Sequence, residues 1–148
     1  MFRVHWLRLR ATAHATEDPA KVRGALRFAS GLDEDAFAAA CTEQAVESHH
    51  GGSLVLLEAT LRRARDVRAC LDHLLDPAAR QRLAPQADAR TDEEGVFWFR
   101  LDKQAAAQGR VATTQGEDAI QACLKPEVHP ASRARVVAAV AGFLEKEG

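Results

Sequence analysis

Trp6 and Trp98 each stand two residues ahead of an arginine, Arg8 and Arg100. On a β-strand that spacing puts ring and guanidinium on one face. Indole rings accept stacked bases, and guanidinium groups hold phosphate or stack in turn, so the pairing suits nucleic acid. Arg10 and His14 continue the first set at the same period. A second group follows the Trp98 segment as Asp102-Lys103-Gln104. A lysine leaving a strand can reach backbone phosphate, and a glutamine can read a base edge. Asp102 can equally cap a short helix and pair with Lys103. A third group is His49-His50 ahead of Gly51-Gly52, where turn histidines can stack on a base or bond a phosphate. Adjacent histidines point to opposite faces of a strand and rarely share one metal, and no cysteine or carboxylate at ligand spacing accompanies them. No metal or cofactor is therefore expected. Arg62, Arg63, Arg65 and Arg68 form a further basic cluster, either a phosphate site or a solvated face balanced by Asp66 and Asp72. No nucleophile elbow, P-loop, zincin helix or dinucleotide fingerprint is present, so nothing nominates a catalytic residue.

These residues must be positioned by alternating segments and the helices between them. Phe2 to His14 alternates as a strand, with Phe2, Val4, Trp6, Arg8 and Arg10 on one face and Leu7, Leu9, Ala11 and Ala13 on the other. The apolar phase changes between Trp6 and Leu7, which suits a bulge. Asp18-Pro19 opens a helix with Val22, Ala25, Leu26 and Ala29 on its apolar stripe, and Gly31 closes it. Residues 33–48 carry two signals: Asp35 to Ala45 is Ala-rich and favours helix, while Phe37, Ala39, Cys41 and Glu43 alternate. Val55, Leu57, Ala59 and Leu61 face the core of a strand over 53–62. A helix follows with Val67, Cys70, Leu71 and Leu74, and Asp76-Pro77 starts a shorter one through Leu83. Val96 to Asp102 is a strand with Phe97, Phe99 and Leu101 inward and Val96, Trp98 and Arg100 outward. Further strands are expected over 110–115 and 119–125, and Pro130 starts a final helix carrying Val136, Val137, Val140, Phe143 and Leu144.

The Leu101-to-Gly109 run, Ala15-Thr16-Glu17-Asp18 after the first strand, and His49-His50-Gly51 stand in an order that resembles the archaeal RNA-binding proteins predicted to be exosome subunits. The resemblance covers about His14 to Lys125. Lys103-Gln104 matches that family's Asp-Lys-Gln-Ala-Ala run residue by residue. The histidine pair departs from it: the family has Gly before the pair and Gly-Asn-Pro after, against Ser48 and Gly51-Gly52-Ser53 here. The resemblance favours strand over helix for residues 36–48, hairpinned to 53–62. The order is then β-α-β-β-α-β-β-β-α, an α+β two-layer sandwich with a mostly antiparallel sheet and helices on one face. The resemblance also implies a fold like the large-subunit ribosomal protein L-five, RNA as ligand, and exosome or RNA-processing proteins as partners. Under it the RNA-binding candidates are Arg8, Arg10, His49, His50, Trp98, Arg100, Lys103 and Gln104.

The chain has 148 residues, which suits one domain spanning 1–148. A net charge of −1 excludes a global basic field, although residues 1–31 carry six cations against two acids and residues 32–52 five acids and no cation. Arginines outnumber lysines sixteen to four, which suits bidentate phosphate contact and also follows from a GC-rich genome. The longest apolar run, Leu54 to Leu57, is too short for a bilayer, and the N-terminus lacks a signal-peptide core, so a cytoplasmic protein without membrane contact is expected. Cys41, Cys70 and Cys123 lie far apart, as free thiols in a reducing compartment would. A sheet face bearing two tryptophans also suits a homodimer contact, so a protein-interaction module stands as the alternative.

Overall fold

A computed structural model describes residues 2–47 and 52–146. His49 and His50 lie outside the described residues. Five strands form one antiparallel sheet in the order β2-β3-β1-β5-β4. They are β1 Val4–Ala13, β2 Cys41–Glu47, β3 Ser53–Leu61, β4 Phe97–Asp102 and β5 Ala119–Pro126. The helices are α1 Pro19–Ser30, α2 Glu34–Ala40, α3 Ala64–Leu74, α4 Pro77–Leu83, α5 Lys103–Ala107 and α6 Arg133–Glu145.

One core holds the layers together. Leu7, Leu9, Ala11 and Ala13 of β1 are buried, as are Leu57, Ala59 and Leu61 of β3. Phe97, Phe99 and Leu101 of β4 and Ile120, Ala122 and Leu124 of β5 complete the inward face. The expected stripes of α1, α3 and α6 meet it: Val22, Ala25, Leu26 and Ala29; Val67, Cys70, Leu71 and Leu74; Val136, Val140 and Leu144. Helices therefore cover one face of the sheet, and alternate residues of the strands point the other way. Caps set the helix starts. Asp18, Asp33, Asp76 and Asp102 each accept a first-turn backbone N–H, and Gly31 ends α1 at φ 73°, a left-handed conformation suited to glycine. The three cysteines are free, and burial pushes the Cys70 thiol up to about 12.

Five expectations are corrected. Residues 36–48 do not form one strand. Asp33 Oδ1 accepts from Ala36 N at 2.8 Å, so the Ala-rich half becomes α2. It buries Phe37 completely, and only from Cys41 does the chain pair with β3, in a register from Cys41↔Ala59 to Glu47↔Ser53. Residues 110–115 make one bridge, Thr113 to Leu101, instead of a strand. Val111 is exposed there, so no inward face rewards a ladder. The last helix begins at Arg133, where Ser132 Oγ caps Arg135 N at 3.1 Å. Phe2 and Val4 leave the face of Arg8. The β1–β5 register shifts between Val4 and Trp6, Phe2 stacks on Phe143 at 4.4 Å, and Val4 packs against the core. Val96 is likewise buried, ahead of β4.

Phe37 is the test of this packing, because it anchors a helix where a strand was expected. Phe37→Ala should cost about 3–5 kcal/mol, read as a lower urea midpoint at unchanged slope. A loss below about 1 kcal/mol would mean α2 is not seated in the core.

Candidate nucleic-acid interface

The open face is a set of rows running across the strands. One row is Thr42, Glu58, Arg10, Gln121 and Arg100, paired in that order from β2 to β4. The next is Thr60, Arg8, Cys123 and Trp98. Trp6 pairs with Lys125 beyond it. Both tryptophans and Arg8, Arg10 and Arg100 thus share this face, and Arg10 and Arg100 flank Gln121.

The cations on it are not equally available. Arg10 donates to Glu58 Oε2 from Nε at 3.0 Å and from Nη2 at 2.7 Å. Arg8 Nε lies 3.3 Å from Glu58 Oε1, and its guanidinium carbon sits 4.5 Å from the Trp6 ring centroid. One carboxylate is therefore shared by two guanidiniums, leaving about one net positive charge. Arg100 Nη1 donates weakly to the Gln115 carbonyl at 3.4 Å and has no carboxylate partner among the described residues. The exposed Arg62, Arg63, Arg65 and Arg68 make no ion pair among the described residues.

Trp98 is fixed from the side. Its indole N–H donates to Asp92 Oδ2 at 3.0 Å, while Asp92 Oδ1 accepts from Glu94 N at 2.9 Å and Val96 N at 3.0 Å. Burial alone would raise the Asp92 pKa, but these hydrogen bonds and the Lys125 charge hold it below the ordinary carboxylate value. Asp92, Trp98, Arg90, Arg100 and Gln121 border a recess of about 280 Å³ at the β4 edge.

Lys103 lies elsewhere than its sequence suggests. Its side chain is 3 % exposed. The ammonium donates to Thr12 O at 2.9 Å, Glu17 Oε1 at 2.9 Å and Asp118 Oδ1 at 2.7 Å. An ammonium has three N–H groups, and all three are taken, so none remains for phosphate. Gln104 is exposed and donates to Asp118 Oδ2 at 3.5 Å. Ligand-capable atoms of His14, Glu17 and Asp118 lie within 4.8 Å of one another, yet the Lys103 ammonium already bonds both carboxylates.

A family model described as RNA binding matches residues 6–125. The chain belongs to that RNA-binding family. It is 34% identical over 148 residues to RNA-binding protein PAB1135 of Pyrococcus abyssi, covering 97% of this chain and 95% of that one. It is also similar to the crystal structure of protein AF2318 from Archaeglobus fulgidus, at 27% identity and a TM-score of 0.82 over 96% of this chain and 99% of that one. Mth689 from Methanothermobacter thermautotrophicus is similar at 26% identity and a TM-score of 0.77, over 98% and 100%. Among the described residues no helix is long and apolar enough to cross a membrane.

In this family member, several residues that build the site carried no signal of their own in the sequence. Glu58, Arg90 and Gln121 are ordinary strand or turn residues until the register brings them beside Arg10, Trp98 and Arg100. Asp92 had a faint signal in the acidic Asp92-Glu93-Glu94-Gly95 turn. Glu17 sat in a run that reads as a helix cap; Asp18 does cap, accepting from Ala20 N at 3.0 Å, while Glu17 reaches Lys103.

The Lys103 cluster makes stability depend on pH. Burial would raise Glu17, but the Lys103 hydrogen bond, the His14 backbone N–H and the Lys103 charge hold it low. Asp118 is lowered chiefly by its hydrogen bond from Lys103. Burial would lower Lys103, and the two carboxylates raise it instead. Carboxyls held low contribute stability above their unfolded pKa and lose it as pH falls through the lowered folded value. An ammonium held high contributes below its unfolded pKa and loses that as pH rises through the raised folded value. Lys103→Met should therefore cost about 1–3 kcal/mol at neutral pH by removing the buried ammonium and its charge-assisted hydrogen bonds. It should also flatten the loss of stability on acidification through the carboxylate range. Parallel pH profiles for wild type and variant would show that the three groups are not coupled.

Proposed function

We propose that the chain is a non-catalytic protein that binds RNA across the open sheet face, mainly through phosphate. The row Arg10, Gln121 and Arg100 carries the reading, because it sets two guanidiniums on an uncovered face, beside the rows that hold two half-buried tryptophans, in a member of an RNA-binding family. Phosphates lie on Arg8, Arg10 and Arg100, and a base stacks at Trp98. Gln104 and the histidine pair His49 and His50 are proposed to border the same strand of RNA. Lys103 acts as a positioning residue that holds the ends of β1 and β5 together. The name of the Pyrococcus relative, RNA-binding protein, supports the same ligand.

The alternative, a homodimer docking through this face, has less behind it. Val111, off the sheet, is the one large apolar residue that is exposed among the described residues, whereas a stable dimer contact needs a broad apolar patch. The resemblance adds two finer parts to the proposal, the L-five-like fold and association with exosome or RNA-processing proteins in the cytoplasm.

Filter binding to a generic single-stranded RNA at several salt concentrations tests the reading. Arg10→Gln combined with Arg100→Gln should weaken all sequences alike and reduce the slope of log K against log salt by about 1.4, at about 0.7 per phosphate contact. Glu58→Gln, which releases Arg8 and Arg10, should tighten binding. Absence of salt-dependent binding to any RNA at low ionic strength contradicts the proposal.

A further inference from the structure

The outer edge of β4 is not bare. Trp98 N donates to the Arg90 carbonyl at 2.9 Å, and Thr91 bridges to Phe97. This segment stands as a wall beside the open face. Between wall and sheet lies the recess of about 280 Å³, with Trp98, Phe99, Arg100 and Gln121 from the sheet and Ala89, Arg90 and Asp92 from the wall. That volume is at the small end of ligand pockets, about 300–1,000 Å³, so it admits one base with its sugar but no base pair.

Its lining is specific in kind. Trp98 offers an aromatic surface that cannot swing freely, because Asp92 holds its indole N–H. Arg90 donates to the side-chain oxygens of Gln86 and Gln115, and Arg100 to the Gln115 carbonyl. Neither guanidinium has a carboxylate partner among the described residues, in contrast to Arg8 and Arg10 on Glu58. Asp92, the one acid in the lining, already accepts three hydrogen bonds. The recess thus combines a fixed ring, two guanidiniums without anionic partners, and the amide of Gln121. A planar heteroaromatic ring joined to an anion fits that set.

We infer that this recess takes a single unpaired nucleotide of the bound RNA, its base against Trp98 and its phosphate on Arg90 and Arg100. The inference rests on the RNA-binding reading and adds a consequence which that reading lacks. A duplex keeps its bases stacked and paired, so it cannot fill the recess, and the protein prefers single-stranded RNA. Gln121, between Arg10 and Arg100, is placed to bond the edge of the inserted base.

The full chain carrying Trp6→Phe has Trp98 as its sole tryptophan and reports the recess by fluorescence. It is titrated with a short single-stranded RNA, the same sequence as a duplex, and uridine 5′-monophosphate. The single strand should quench Trp98 and bind at least several-fold more tightly than the duplex, with the mononucleotide weaker than the strand. In a chain that keeps Trp6, Trp98→Leu should weaken the single strand by roughly 5- to 150-fold and leave duplex affinity almost unchanged, the range expected for one stacked base. Trp98→Phe, which keeps a ring, should restore most of the loss. Arg90→Gln should lower single-strand affinity without touching Arg8 and Arg10. Binding of both RNA forms with equal affinity and no Trp98 quench overturns the recess while the RNA-binding reading stands. A mononucleotide binding as tightly as the strand overturns the assignment to RNA. No binding of any RNA overturns both.

Discussion

Everything on the functional side follows from burying one face of a five-stranded sheet and leaving the other uncovered. The inward residues of β1, β3, β4 and β5 join the stripes of the helices in one apolar cluster. Burial at roughly 25 cal/mol per Å² of apolar surface favours that layer strongly, and no second layer of helices exists among the described residues to treat the opposite face alike. The opposite face must therefore stay compatible with water. It does so with long amphipathic side chains: Arg8 lies over Trp6, and Cys123 is buried between Arg8 and Trp98 in their shared row. Arginine and tryptophan cover sheet backbone with apolar surface while keeping polar groups outward. The chemistry that solvates such a face is also the chemistry that receives a nucleic acid.

Charge then decides how that face works. A chain with net charge −1 attracts RNA only through local fields, so the distribution of counter-charges matters more than the number of arginines. Glu58 is shared between Arg8 and Arg10 and mutes the centre of the sheet. The ammonium of Lys103 is spent on Thr12, Glu17 and Asp118. Free positive charge is left at the β4 edge, on Arg90 and Arg100, and at the start of α3. The edge is where an aromatic ring and a recess also occur, so ligand chemistry concentrates there instead of spreading over the face.

Much of the fold was legible because period and capping agree. The inward phases of β1, β3, β4 and β5, the stripes of α1, α3 and α6, and the caps at Asp18, Asp76 and Asp102 all stand where alternation and residue type place them. The misreadings came where two signals compete within a few residues. Residues 34–47 hold a helix and then a strand, because the Asp33 cap acts only on the first turns. At Phe2 and Val4 a bulge inverted the phase. The candidate site was legible as far as face membership: Trp6, Trp98, Arg8, Arg10 and Arg100 do share one side of the sheet. Partnership was not legible, since Glu58 is 48 residues from Arg10 and Glu17 is 86 from Lys103. Only strand register brings such groups together, and no local pattern encodes it. Conversely, the Asp-Lys-Gln-Ala-Ala run stands out by resemblance, and its lysine serves the fold's own electrostatics.

The central claim is that RNA lies on the uncovered sheet face. Backbone amide chemical-shift mapping on the isotope-labelled chain, titrated with a short single-stranded RNA at low salt, tests it most directly. The account predicts the largest shifts at Arg8, Arg10, Trp98, Arg100 and Gln121, together with the indole N–H of Trp98, and small ones along α1 and α6. Shifts confined to the helical layer, with the sheet rows unmoved, would contradict it.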